Sequence, residues 1–163
     1  MLRSQDIRSA DKVVSDWGKW QVGGMPPAAF PLSKRRGRSL RIGSSYKWRV
    51  ILFSACGEAC RLLIVYNADK EQYRATLAVD RDRDMIVVAS LEFHGTHPGW
   101  HLHGACGDIE KHPIGSYRGP LQRRFPRPRT THRRHDFKVT SEGAALDVAA
   151  KFFRLHKADG ELI

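Results

Sequence analysis

The sequence predicts an α+β fold: a single domain in which an antiparallel β-meander of about five strands carries a C-terminal helix packed on one face. Three observations predict it. Between residues 46 and 106, five segments rich in β-branched and aromatic residues follow one another with short connections. Parallel neighbours would need crossovers of about a dozen residues or more, so the strands are expected to run antiparallel. Toward the C-terminus the apolar spacing changes to that of a helix. A chain of 163 residues is long enough to bury one core.

Residues 1–44 read as an N-terminal helix or arm with a basic loop. A short helix is expected over 5–16, with Ile7, Val13 and Val14 on its apolar side. "GGMPPAAFPLS" (23–33) is broken by Gly and Pro into a connector. The sheet spans 45–106. "YKWRVILFSA" (46–55) and "CRLLIVYN" (60–67) flank "CGEA", a hairpin turn. "QYRATLAVD" (72–80) alternates, with Tyr73, Ala75, Leu77 and Val79 on one face. "RDRD" turns the chain into "MIVVASLEFH" (85–94), and "WHLHGAC" (100–106) forms the fifth strand. Residues 107–138 form a long Arg/Pro-rich loop without periodicity. A helix at 140–156 closes the chain. Thr140 or Ser141 caps it, Glu142 suits its first turn, and Ala145, Val148, Ala149, Phe152 and Phe153 make its apolar stripe.

Composition narrows the class. With 41% hydrophobic and 28% charged residues, the chain is of ordinary globular make-up. No apolar run approaches the ~20 residues of a bilayer span, so no membrane association is expected. The first seventeen residues include acids and lack the apolar centre of a signal peptide. Three cysteines give no disulfide framework, and Cys56 and Cys60 read as small buried side chains. The cytoplasm is the expected compartment.

The positive charge is confined. Residues 34–41 carry Lys34, Arg35, Arg36, Arg38 and Arg41 without an acid. Residues 115–137 carry Arg118, Arg123, Arg124, Arg127, Arg129, Arg133 and Arg134 against Asp136 alone. These two segments account for the whole formal net charge of +11. Dense arginine suits a polyanion, because the planar guanidinium binds phosphate through paired donors. Phe125, Tyr117 and Phe137 interleave with the arginines and could stack on bases, while Pro120, Pro126 and Pro128 hold the segment extended. Nucleic acid is the expected partner, RNA favoured over DNA, with a protein partner such as an antitoxin or complex subunit alongside.

Histidine is confined too. Of eight histidines, seven lie between His94 and His135, four of them within residues 94–103. "His97-Pro98-Gly99-Trp100" has the residues of a tight turn. A two-residue loop there would pair 97 with 100 and 94 with 103. Glu92, His94, Thr96, His101 and His103 would then share one face, while Leu91, Phe93, Trp100 and Leu102 share the other. His97 would fall at the turn. An L-Pro-Gly pair favours a type II turn, whose twist suits a hairpin poorly, so a longer loop with a shifted register is the alternative.

Three readings of that polar face compete. It can be a solvated surface. It can be an acid–base site, with His94, His101, His103, Glu92 and His97 as catalytic candidates, since imidazole gives and takes protons near neutrality. It can be a metal site in which His94, His101 and His103 hold zinc, with Glu92, Cys106, Asp108 or His112 completing it. The spacing matches no established zinc signature, so the leading reading needs no cofactor, with zinc as the alternative. The expected function is a small RNA-cleaving protein of toxin or defence-effector type, a hydrolase using the histidines for proton transfer and the arginines for phosphates. A non-catalytic RNA- or DNA-binding module, or a zinc-stabilised structural protein, stands as the alternative.

Overall fold

The computed structural model describes residues 1–32, 41–94, 99–115, 118–126 and 137–158. Arg35, Arg36, Arg38, His97, Tyr117, Arg127, Pro128, Arg129, Arg133 and Arg134 lie outside the described residues. The architecture is mostly β, one open sheet with a C-terminal helix packed on it. In chain order the elements are α1 (Ser4–Ser9), β1 (Lys12–Asp16), β2 (Gln21–Val22), β3 (Lys47–Ala55) and β4 (Glu58–Asn67). They continue with β5 (Gln72–Arg81), β6 (Asp84–Phe93), β7 (His101–Ala105), β8 (Gln122–Phe125), α2 (Glu142–Phe153) and β9 (Leu155–His156).

The five expected strands are β3 to β7, adjacent in space and antiparallel in chain order. The sheet is wider than a five-stranded meander. Its order is β8-β7-β6-β5-β4-β3-β1-β9, with β2 also on β3, so nine strands are present among the described residues. The additional strands are short ones, and their pairing comes from neighbours distant in sequence rather than from a local pattern. Residues 5–16 are not one helix. The helix ends at Ser9, and the β-branched Val13 and Val14 pair with Ser54 and Phe53 instead. The 107–138 stretch is not without structure either: a 3₁₀ turn at Ile109–Lys111 precedes β8.

Local chemistry explains the hairpins. Cys56 and Gly57 both take positive φ, 52° and 80°, between the paired Ala55 and Glu58. That is the type I′ geometry whose twist matches paired strands. Along β5–β6 the register shifts between Leu77 and Ala78, where Leu77 pairs with Ala89 and Ala78 with Val87. The extra residue, Val88, reverses the alternation, so Ile86 and Val88 before the shift and odd-numbered residues after it face the same core. Ala89, Leu91 and Phe93 join this larger core; Met85 and Val87 join a smaller one on the other face.

The larger core is covered by both helices through Ile7, Ala145, Ala149, Ala150 and Phe153. Ser141 caps α2 by accepting the Ala144 N–H at 3.1 Å. Of the expected stripe, Phe152 is exposed while Ala150 is buried. The smaller core, around Trp48, Leu63 and Met85, is covered by Met25 and Phe30 from the Gly/Pro-rich connector. It occupies only part of its face. The remainder of that face, on β5 to β8, is polar.

Candidate active site

Two rows of side chains cross this polar region. In the first, Arg74 on β5 pairs with Glu92 on β6, and Glu92 pairs with His101 on β7. In the second, Thr76 pairs with Ser90, Ser90 with His103, and His103 with Arg124 on β8. Directly opposed residues in antiparallel strands share a face, so seven polar side chains are gathered by backbone register alone.

Glu92 is the centre. Its side chain is 4% exposed, and a carboxylate so enclosed must be compensated. One oxygen, Oε1, accepts from the Ser90 hydroxyl at 3.0 Å and lies 3.4 Å from Arg74 Nε. Because the Ser90 proton goes to Glu92, the Thr76 hydroxyl 3.3 Å away donates to Ser90 in turn. Arg118 Nη2 lies 3.3 Å from Oε2. The same Oε2 faces three imidazoles, with Nε2 of His101 at 3.6 Å, His94 at 3.8 Å and His103 at 3.9 Å. The rings meet edge to face: His94 and His101 are centred 4.9 Å apart, His101 and His103 5.2 Å apart.

The electrostatics follow from this crowding. Burial alone would push the Glu92 carboxyl up, but His101, Arg74, Ser90 and His103 outweigh it and hold the group down at about 2. His103 is pushed down to about 4, first by burial and then by Arg118, against the pull of Glu92. Near neutrality Glu92 is therefore a carboxylate and His103 a neutral imidazole. The permanent cations Arg74 and Arg118 supply the charge compensation. Their side chains are 50% and 58% exposed, so each guanidinium also reaches solvent.

Beside the cluster opens a groove of about 710 Å³. Glu92 and His94 line it, together with Arg41, Lys70 and Arg74. Of the three imidazoles, His94 is the most accessible, with a side chain 25% exposed against 14% for His103 and 1% for His101. A ligand in the groove meets His94 first.

The arrangement could also hold a metal ion. Ligand atoms of Glu92, His94 and His101 all lie within 4.8 Å of one another. Of the ligands expected, this set contains His94, His101 and Glu92 but not His103. His101 Nδ1 lies 3.5 Å from the Gly99 carbonyl, a contact of the kind that leaves Nε2 for an ion.

Not every expected residue joins the site. Arg123 pairs with Gly104 and Phe125 with Leu102, which places both on the face opposite the histidines. Arg124 is on the histidine side, and Arg118 reaches Glu92 from the segment after Gly115. Tyr73, Ala75 and Leu77 alternate into the core, which already sends Arg74 and Thr76 to the other face; that signal was available. Ser90 had the same parity as Glu92. The expected register, with His94 opposite His103, is not the observed one: Glu92 pairs with His101 and Ser90 with His103. Residues 95–98, where the turn was expected, lie outside the described residues.

Cys60 is buried and its thiol is pushed up to about 12, in keeping with a packing role. His112 is buried with Nε2 3.1 Å from the Cys106 carbonyl, and stands apart from the cluster. No family model, no curated protein and no solved structure matches this chain.

Proposed function

We propose that this chain binds nucleic acid and cleaves RNA at the Glu92–histidine cluster. The observation that carries the reading is the groove with cationic walls that His94 and Glu92 also line. His94 takes the proton of the 2′-hydroxyl, with the Glu92 carboxylate behind it stabilising the imidazolium that forms. The 2′-oxygen attacks phosphorus, and the bond to the 5′-oxygen breaks. The proton then passes from His94 to that leaving oxygen, giving a 2′,3′-cyclic phosphate and a free 5′-hydroxyl. Arg74 and Arg118 face the phosphate and bear its added negative charge. His101 and His103 position Glu92. The dependence on the 2′-hydroxyl is what favours RNA over DNA. The test is cleavage of matched single-stranded RNA and DNA by the purified chain; products without a cyclic phosphate, or no products, would overturn it.

A second reading is zinc held by Glu92, His94 and His101, favoured by the convergence of their ligand atoms. Elemental analysis of the purified protein decides it. Close to one zinc per chain, lost in His101→Ala, supports the metal; none supports the metal-free site.

A further inference from the structure

We infer that the groove beside the cluster is a subsite for one nucleotide, with the base against Tyr46 and the phosphate against Arg74. This deepens the nuclease reading and rests on it, since it names the ligand of the same site. The cavity of about 710 Å³ falls within the ~300–1,000 Å³ typical of small-molecule sites. Its chemistry is divided across the strands. Leu63 and Val65, which belong to the smaller apolar core, lie on one side, and Tyr46 stands beside them. Arg74 on β5 stands directly opposite Val65, with Glu92 and His94 beyond it.

The Tyr46 ring is held in place and left approachable. Its hydroxyl donates to Gln72 Oε1, which leaves the Gln72 amide NH₂ to donate to a base edge. The Lys70 ammonium lies 5.5 Å from the ring centroid, attracted by the electron-rich face. On the Cδ2–Cε2 side stands Gly43, where a Cβ would sit 3.4 Å from Cδ2 and 3.7 Å from Cε2. Glycine keeps that space clear.

A ligand satisfying both parts needs a flat apolar part and an anion a few ångströms away. A nucleotide has both, and a phosphate held by Arg74 would lie beside His94. Simple anions lack the flat part, and apolar ligands lack a group for Arg74.

The probe is the deoxydinucleotide thymidylyl-(3′→5′)-thymidine, which has no 2′-hydroxyl and is not cleaved, titrated into the full chain by calorimetry. Tyr46→Ala is expected to weaken binding about tenfold, and Tyr46→Phe to stay within about threefold of the parent, since stacking on the ring is what is lost. Gly43→Leu, which fills the space from the other side, is expected to weaken it similarly and checks the result if Tyr46→Ala folds poorly. Ribose 5-phosphate, which has no base, should bind the parent and Tyr46→Ala alike. No binding by the parent, or binding unchanged in both Tyr46→Ala and Gly43→Leu, overturns the subsite. Cleavage is not needed for this readout, so a chain that binds the dinucleotide here yet cuts no RNA overturns only the nuclease reading.

Discussion

Glu92 and His101 face each other directly across the β6–β7 pair, with Oε2 3.6 Å from Nε2 and both side chains sealed from solvent. A carboxylate and an imidazole enclosed in this way are not placed by propensity. They persist because Arg74 and Ser90 at Oε1 and Arg118 at Oε2 compensate the charge of the carboxylate. The pair therefore links the stability of the sheet to the chemistry proposed for it.

Acid should unfold the protein in two overlapping stages. The His103 imidazole, held at about 4 against an ordinary 6.5, resists protonation in the folded state. Its stabilising effect is complete above 6.5 and is lost as pH falls toward 4. The Glu92 carboxyl, held at about 2 against 4.5, adds a second loss between 4.5 and 2, on the order of 3 kcal/mol. Thermal melting between pH 7 and pH 2.5 should show a steadily falling midpoint. Glu92→Gln should be less stable at pH 7 and lose less of its stability below pH 4.5. A parallel decline in the variant would mean that Glu92 is not the group responsible.

Two histidine substitutions separate catalysis from positioning. His94→Ala is expected to lower RNA cleavage by about 10² to 10⁴ while leaving affinity within about threefold. His101→Ala should lower kcat through a displaced Glu92, whereas His94→Ala removes the base itself. Equal cleavage by the parent and His94→Ala would rule out the proposed base.

Binding should depend steeply on salt. Each phosphate neutralised by arginine or lysine on a single strand contributes a slope of about −0.7 in log affinity against log salt concentration. Arg118→Ala and Arg74→Ala should each flatten the measured slope by about that amount. An affinity indifferent to salt would remove the polyanion partner from the proposal.

Away from the site, Gly18 offers a check on the sheet. It has φ of 62°, and a Cβ there would overlap the Val50 carbonyl oxygen. Gly18→Ala is expected to cost about 2 kcal/mol or more in chemical denaturation, through strained backbone and displacement of β3. A variant as stable as the parent would show that β3 can give way at Val50.

Much of this was legible in the residues themselves. Strand alternation has a period of two, so the side of the sheet on which Glu92, His94, His101 and His103 lie depends only on parity. The expected register placed His94 opposite His103, and the observed one places Ser90 there, four residues away. An even shift keeps every side chain on its face, so among the described residues the polar set and the apolar set were identified correctly although the partners were not; Thr96 lies outside them. The main strands, β3 to β7, and the capped helix α2 were legible for a similar reason, since a repeating pattern marks each of them.

What only the tertiary structure decided is which groups meet. Arg74 and Arg118 reach Glu92 from two separate parts of the chain, and no local pattern records such a convergence. The short strands β1, β2, β8 and β9 have the same origin: their hydrogen bonds come from partners elsewhere in the sequence. Alternation is a property of each strand by itself. Register, and with it the environment of a buried carboxylate, belongs to pairs of strands and is set by how the whole sheet packs.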